Sequence, residues 1–312
     1  MTDFTTSSSD RSEASRFRSA FIALIGRPNS GKSTLLNTII GEEISIVSAL
    51  PQTTRCNARG IYTTDSMQLI FVDTPGIHSG RHALNRAMLQ QARRAAGEDV
   101  DLICYLVDLS REFGDEESAA AALVESARNI PVVIVFNKTD LVPSSDKAAR
   151  RFFHRFPGLE NALSVKLCAT APESKSAFLS AIDAYIHPGP RYFDPEELTD
   201  STCRQIAAEY IRKQIIAVTD REVPHAVFIE IDSYREKADR HSIIATIHVE
   251  TRGQRGIIVG KGGSVINRIK KGFRTEMSKL TGLPTSLTCH VKVSPRWRDN
   301  EAFLRQAGID LN

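Results

Sequence analysis

Short apolar runs recur through the first 190 residues, at 21–25, 67–72 and 132–136. Each is bounded by glycine-bearing or polar segments, as buried strands are. A further strand is expected over 57–63 and a weaker apolar stretch around 163–165. Residues 34–40 follow the first run as a helix, and 176–186 read as a closing helix. Strands alternating with helices predict an α/β domain with a mostly parallel sheet. The pattern then stops: 187–195 holds three prolines and a glycine, which break any helix and mark a boundary. Beyond it, Ile206, Tyr210, Ile211 and Ile215 recur at helical spacing, with Asp200 or Ser201 as the expected cap. Two strands, 226–231 and 242–249, pair plausibly as a hairpin. They are followed by Ile257, Ile258 and Val259, a helix with a stripe from Val265 to Leu280, and a third strand over 285–293. This second half reads as α+β. The expected organisation is a disordered tail at 1–18, a first domain at 19–187, a linker at 188–200 and a second domain at 201–312.

The first strand leads into Gly26-Arg27-Pro28-Asn29-Ser30-Gly31-Lys32-Ser33, with Thr34 opening the helix. The spacing G-x-x-x-x-G-K-[ST] between a strand and a helix is that of a P-loop. Its backbone N–H groups and helix N-terminus cradle phosphates, Lys32 reaches the outer phosphates, and the Ser33 hydroxyl holds Mg²⁺. The bland reading, a glycine-bearing turn, loses ground to the correct flanking elements. The third run ends in Asn137-Lys138-Thr139-Asp140, at the carboxyl end of a strand, where open α/β sheets bind ligands. A carboxylate at Asp140 accepts two parallel hydrogen bonds from the N1–H and exocyclic amine of guanine, which adenine does not offer. Asn137 can tie this loop to the P-loop, and the Lys138 stem can cover the base. Between them, 67–72 ends in Asp73-Thr74-Pro75-Gly76. Asp73 is placed for Mg²⁺, a cation that favours oxygen ligands, and the Gly76 N–H for a γ-phosphate. In the loop 52–55, Thr54 rather than Thr53 is expected to complete the Mg²⁺ shell. Backbone N–H groups of Cys168 and Ala169 can face the guanine oxygen.

A glutamine after the Asp-x-x-Gly orients the attacking water in Ras-like enzymes. Here the next residue is Ile77, which cannot. His78 is read as an exposed loop residue, not a base.

Composition narrows the alternatives. No run of about 18 apolar residues is present, so no membrane-spanning helix is expected. The acidic residues Asp3, Asp10 and Glu13 argue against a transit peptide. The five cysteines are scattered, which disfavours disulfides and zinc and fits a reducing cytoplasm. Net charge is +3, unevenly placed: 19–187 holds 17 Lys and Arg against 18 Asp and Glu, whereas 251–298 holds 11 against one. A basic second half points to a polyanion partner. Within it lies Gly260-Lys261-Gly262-Gly263.

These elements, in this order, resemble the translation-factor-related GTPases. Residues 26–37, 52–55 and 73–78 (GRPNSGKSTLLN, QTTR and DTPGIH) are similar to the Era branch, with Cys168-Ala169 departing from its usual Ser-Ala. The string 260–263 matches the G-x-x-G loop of KH domains, where a nucleic-acid backbone approaches the peptide closely. Residues 254–263, 221–225 and 291–293 with Trp297 resemble the same family. The resemblance implies a Ras-like P-loop GTPase domain followed by a type II KH domain. It implies slow hydrolysis of GTP to GDP with Mg²⁺, using Lys32, Thr54 and Asn29, and K⁺ held at Asn29 as a candidate activating charge. The second domain is then expected to bind the 3′ end of 16S ribosomal RNA through Gly260, Lys261, Gly262 and Gly263, with Arg255, Arg268, Lys270 and Lys271 around them. The implied role is assembly of the 30S subunit by a monomer in the cytoplasm, with peripheral association at the inner membrane a further expectation. Two rival readings are an RNA-binding module on an inactive GTPase fold and a P-loop ATPase or small-molecule kinase. Intact Lys32, Ser33, Asp73 and Asp140 oppose the first, and Asp140 opposes the second.

Overall fold

The computed structural model describes residues 17–45, 58–74, 76–77, 84, 87, 90, 92, 94, 100–127, 129–219 and 223–306. The expected tail lies almost wholly outside the described residues, as do Thr53, Thr54 and His78. Arg18 already belongs to the first strand, one residue before the expected boundary. The chain divides into two compact units, the first reaching Asp200 and the second running from Ser201.

In the first unit, the strands are β1 (Arg18–Ile25), β2 (Ala58–Thr63), β3 (Met67–Asp73), β4 (Leu102–Asp108), β5 (Val132–Asn137), β6 (Leu163–Lys166) and β7 (His187–Pro188). They form one sheet in the order β2-β3-β1-β4-β5-β6, with β7 beside β1. β2 runs antiparallel to β3 and β7 antiparallel to β1; the other pairs are parallel. The helices whose bounds are described are α1 (Lys32–Ile40), α2 (Asp115–Ser126), α3 (Ser145–Arg155) and α4 (Ser174–Ile182). The closing helix therefore stops at Ile182, and a short 3-10 turn carries the chain into β7.

Both faces of this sheet are covered. Along β4, Ile103, Tyr105 and Val107 join one core and Leu102, Cys104 and Leu106 the other, as the two-residue strand period demands. A strand buried on both faces is apolar throughout, which is why β4 reads LICYLVD without alternation. β3, β4 and β5 end at Asp73, Asp108 and Asn137, so three polar side chains gather at one end of the sheet, beside the glycine loop that leaves β1.

The stretch expected as a linker is fastened to this unit. Buried Gln68 accepts hydrogen bonds from the N–H groups of Tyr192 (2.8 Å) and Phe193 (3.0 Å) and donates to the Phe193 carbonyl (3.0 Å). Ile61 N–H donates to the Leu198 carbonyl at 2.9 Å, so the segment covers the exposed edge of β2. Asp200 accepts from the Arg59 N–H and is not the cap of the next helix. That role belongs to Thr202, in a reciprocal capping box with Gln205.

The second unit holds α5 (Cys203–Val218), β8 (Phe228–Glu236), β9 (His241–Val249), α6 (Arg252–Val259), α7 (Ser264–Thr281), β10 (Thr285–Val293) and α8 (Glu301–Gln306). Its sheet runs β10-β9-β8, antiparallel between β8 and β9 and parallel between β9 and β10. The apolar stripes of α5 and α7 meet the sheet through Ile211, Ile215, Ile269, Phe273 and Met277. Residues 257–259 are the last turn of α6, which opens on a second capping box, Thr251 with Gln254.

Candidate nucleotide and nucleic-acid sites

The glycine loop wraps the gap between β1 and α1. The helix starts at Lys32 after Gly31, and no side chain caps it. Its first N–H groups therefore point into the loop, as an anion site requires. Gly31 has φ +102°, and a Cβ there would lie 2.0 Å from the Asn137 amide. Only glycine fits that approach. Asn29 holds φ 61° and is half-buried.

Asn137 joins three loops. Its Nδ2 donates to the Ser30 carbonyl at 2.8 Å, and its Oδ1 accepts the Ala169 N–H at 2.9 Å. Thr38 of α1 donates to the Ala169 carbonyl at 2.8 Å, which fixes the 168–169 turn to the same helix. Lys138 has φ 61° and pairs with the buried Asp108 carboxylate at 2.8 Å. Burial alone would push the Asp108 carboxyl up, but hydrogen bonds from Lys138 and Ser110 hold it below the usual range. Asp140 follows in a 3-10 turn, its side chain exposed at the mouth of the site.

Ser33 Oγ donates to Asp73 Oδ2 at 2.7 Å. A hydroxyl and a carboxylate, both hard oxygen donors, face each other there, a donor set that fits Mg²⁺. Among the described residues no cluster of three or more His, Cys, Asp or Glu could hold a metal, so such an ion would also draw on phosphate oxygens and water. Thr54, the third expected ligand, lies outside the described residues. The Lys32 ammonium is buried and donates to the carbonyls of Gly26 (3.0 Å) and Arg27 (3.1 Å). Burial lowers its pKa to about 8, partly opposed by the charges of Asp73 and Glu117. Gly76 is buried against Pro28 of the loop, and Ile77 N–H donates to the Gly26 carbonyl at 3.2 Å. The Ile77 side chain lies in the apolar core and offers nothing to a water.

A buried network behind the loop escaped the sequence reading. Arg27 Nε lies 3.0 Å from Glu117 Oε2 on α2, and its other nitrogens donate to the carbonyls of Glu112 (2.8 Å) and Asp108 (3.0 Å). Tyr105 donates to Glu117 Oε1 at 2.5 Å. Burial pushes the Glu117 carboxyl up against these partners. An arginine inside the glycine loop was the only local signal; its partner is 90 positions away.

In the second unit, α6 ends at Gly260 (φ +71°), where a Cβ would come within 2.8 Å of the Val265 backbone nitrogen. Residues 261–263 turn into α7. Lys261, Arg255, Arg268 and Lys271 are exposed, and Lys270 is half-buried. Ile257 on the adjoining helix is exposed as well, leaving an apolar patch beside the basic loop.

The first unit has the architecture of a P-loop GTPase, and the second, with its α-β-β-α-α-β order and glycine loop between α6 and α7, that of a type II KH domain. The comparisons agree. Residues 21–138 match the family model described as 50S ribosome-binding GTPase, and 222–298 match that of the KH domain. The chain is 38% identical over 300 residues to a GTPase Era of Lactobacillus helveticus, covering 96% of this chain and 98% of that protein. A GTPase Era of Synechocystis is 39% identical over 94% of this chain and 92% of its own. A crystal structure of Era in complex with MgGDPNP and nucleotides 1506–1542 of 16S ribosomal RNA superposes with a TM-score of 0.88 at 28% identity, covering 94% of this chain and 99% of that one. The chain belongs to the GTPase Era family, and it is a GTPase.

Proposed function

We propose that the chain is a GTP-driven switch that binds the 3′ end of 16S ribosomal RNA and assists assembly of the 30S subunit. The observation that carries the nucleotide half is the pair of hydrogen bonds by which Asn137 ties Ser30 to Ala169, joining the phosphate and base loops into one cleft. In it, the N–H groups of 26–34 and Lys32 hold the phosphates, Asp140 reads guanine, and Cys168 and Ala169 face the base oxygen. Ser33 and Asp73, with Thr54, would hold Mg²⁺, which when bound draws charge from the β- and γ-phosphate oxygens. The RNA half is supported by the solved relative bearing a 16S fragment and by the exposed lysine of the 260–263 turn. Lys261 meets a phosphate, Gly260, Gly262 and Gly263 admit the sugar-phosphate chain, and Arg255, Arg268, Lys270 and Lys271 supply the surrounding charge.

Because Ile77 cannot orient water, another group positions it, or hydrolysis stays slow until a partner helps. In this reading Asn29, half-buried in the loop, helps hold K⁺ beside the phosphates, and GTP turnover is expected to rise in K⁺ over Na⁺; equal rates would exclude that assignment. The protein acts as a cytoplasmic monomer. Peripheral attachment to the inner membrane would have to rest on exposed lysines and arginines, because no helix among the described residues is long and apolar enough to cross a membrane. The decisive experiment combines phosphate release by the purified protein with RNA crosslinking to 260–263 in GDP and in a non-hydrolysable GTP analogue. Release of phosphate from ATP in preference to GTP, or crosslinks that avoid the loop, would refute the reading.

A further inference from the structure

On the flank of the first unit, α3 presents a second basic surface. Lys147, Arg150, Arg151, His154 and Arg155 recur at steps of three and four and are all exposed, while Ala149 and Phe152 face the core. They line an open groove of about 830 Å³ whose other wall carries Glu112 and half-buried Phe113. From Lys147 to Arg155, a rise of eight residues, the stripe extends about 12 Å along the helix.

Ordinary structural roles account for part of it. His154 and Arg155 stand in the last turn, where cations favour the helix dipole. Arg151 pairs with Glu112 at 2.7 Å. Arg150 stands one turn after Asp146 and, beside the Lys166 hydrogen bond, its charge helps hold that carboxyl below its usual range; Lys147 has no such role. Lys147 stands in the first turn, where the dipole disfavours a cation. Asp146, the nearest acid in sequence, is engaged by Lys166. Among the described residues no carboxylate is within ion-pair distance of Lys147, Arg150 or Arg155, whereas the domain as a whole, over 19–187, has 18 acids to 17 bases. Five basic groups against a single acid, Glu112, in one groove favour a polyanion.

We propose that this groove is a second RNA-binding site, which grips the phosphate backbone of a double-stranded segment. Three of the five groups are arginines, whose planar fork matches phosphate oxygens. No aromatic face is fully exposed in the groove, so it lacks the stacking platform that single-stranded bases need. It also lacks the exposed apolar centre on which protein interfaces depend. A duplex backbone, read by charge and shape, requires neither. The site is separate from the 260–263 turn and does not depend on that assignment.

The test uses the full-length protein and a mixed-sequence 20-base-pair RNA duplex, with affinity measured across a salt series. The triple variant K147E/R150E/R155E is expected to bind the duplex at least about tenfold more weakly, and its dependence of log affinity on log salt should flatten by roughly 2 to 3. R150K/R155K, which keeps the charge but loses the fork, should keep the salt slope and bind with an affinity between those of the wild type and the triple variant, and GTP hydrolysis without RNA should be unchanged in both. K261D, assayed with a single-stranded oligonucleotide, reports separately on the 260–263 turn. An unchanged duplex affinity and salt slope in the triple variant would overturn the proposal. So would tighter binding of poly-glutamate than of duplex RNA at equal charge, which would assign the groove to an acidic protein.

Discussion

Lys32 and Asp140 each translate a local environment into a measurable preference. Lys32 is buried, and its pKa falls from 10.5 to about 8 because desolvation outweighs Asp73 and Glu117. The folded value lies below the unfolded one, so the unfolded chain binds more protons between those limits. The cost, on the order of 3 kcal/mol, is present in full below pH 8 and fades as pH rises toward 10.5. A phosphate at the loop restores the charged form. Nucleotide binding at pH 8.5 should therefore take up roughly half a proton or more, visible in calorimetry as a heat that varies with buffer ionisation enthalpy, and almost none from this group at pH 7. Heats independent of buffer at pH 8.5 would contradict the assignment. Asp140 reads the base by its two acceptor oxygens. Asp140→Asn replaces one acceptor with a donor, so GTP affinity should drop by about a hundredfold or more and xanthosine triphosphate should become the better ligand. Displacement of a fluorescent nucleotide measures both.

At the scale of elements, the glycine loop depends on α2 as much as on its own sequence. Arg27 and Glu117 are buried (3% and 0% exposed) and joined at 3.0 Å, so removing one leaves the other charged and unpartnered by it. Glu117→Ala should lower stability in urea melts by about 3–5 kcal/mol, while Arg27→Met combined with Glu117→Leu should recover much of that loss. A loss under about 1 kcal/mol for Glu117→Ala would show that the carboxylate does not hold the loop. This contact marks the limit of what the chain discloses in one dimension. The glycine loop, the N-K-x-D turn and the 260–263 turn were legible because backbone geometry over a few residues dictates their composition. β10 was legible to the residue because its alternation is complete. The Arg27–Glu117 pair was not, because 90 residues separate its members. The start of α6 was overlooked although Thr251 and Gln254 spell a capping box, since glycines at 253 and 256 weaken the helical pattern. The fastening of 188–200 along β2 was missed because prolines announce a break in the helix without saying what the backbone beyond will pair with. The α3 groove was concealed by averaging: a domain with 17 bases and 18 acids looks neutral until the helix period sorts them.

For the molecule as a whole, the question is whether the two activities are linked or merely share a chain. Any linkage is a free energy and must be reciprocal: if a GTP analogue tightens RNA binding by some factor relative to GDP, the RNA tightens the analogue relative to GDP by the same factor. Couplings of this kind typically amount to 1–3 kcal/mol, about 5–150-fold. RNA bearing the 3′ end of 16S ribosomal RNA should raise the preference for the triphosphate form by a factor in that range. Fluorescence titration of a non-hydrolysable analogue and of GDP, with and without RNA, gives one side of the cycle; titration of RNA in each nucleotide gives the other. A factor of one on both sides would leave the GTPase and the RNA reader as independent modules. Unequal factors would break the thermodynamic square and require a further species, such as a second copy of the chain. The rate of phosphate release carries no such constraint, so stimulation of turnover by RNA cannot stand in for the equilibrium measurement. Repeating the cycle with K147E/R150E/R155E and with a duplex separates the routes: coupling that survives in the triple variant runs through the second unit, and coupling lost with it runs through α3.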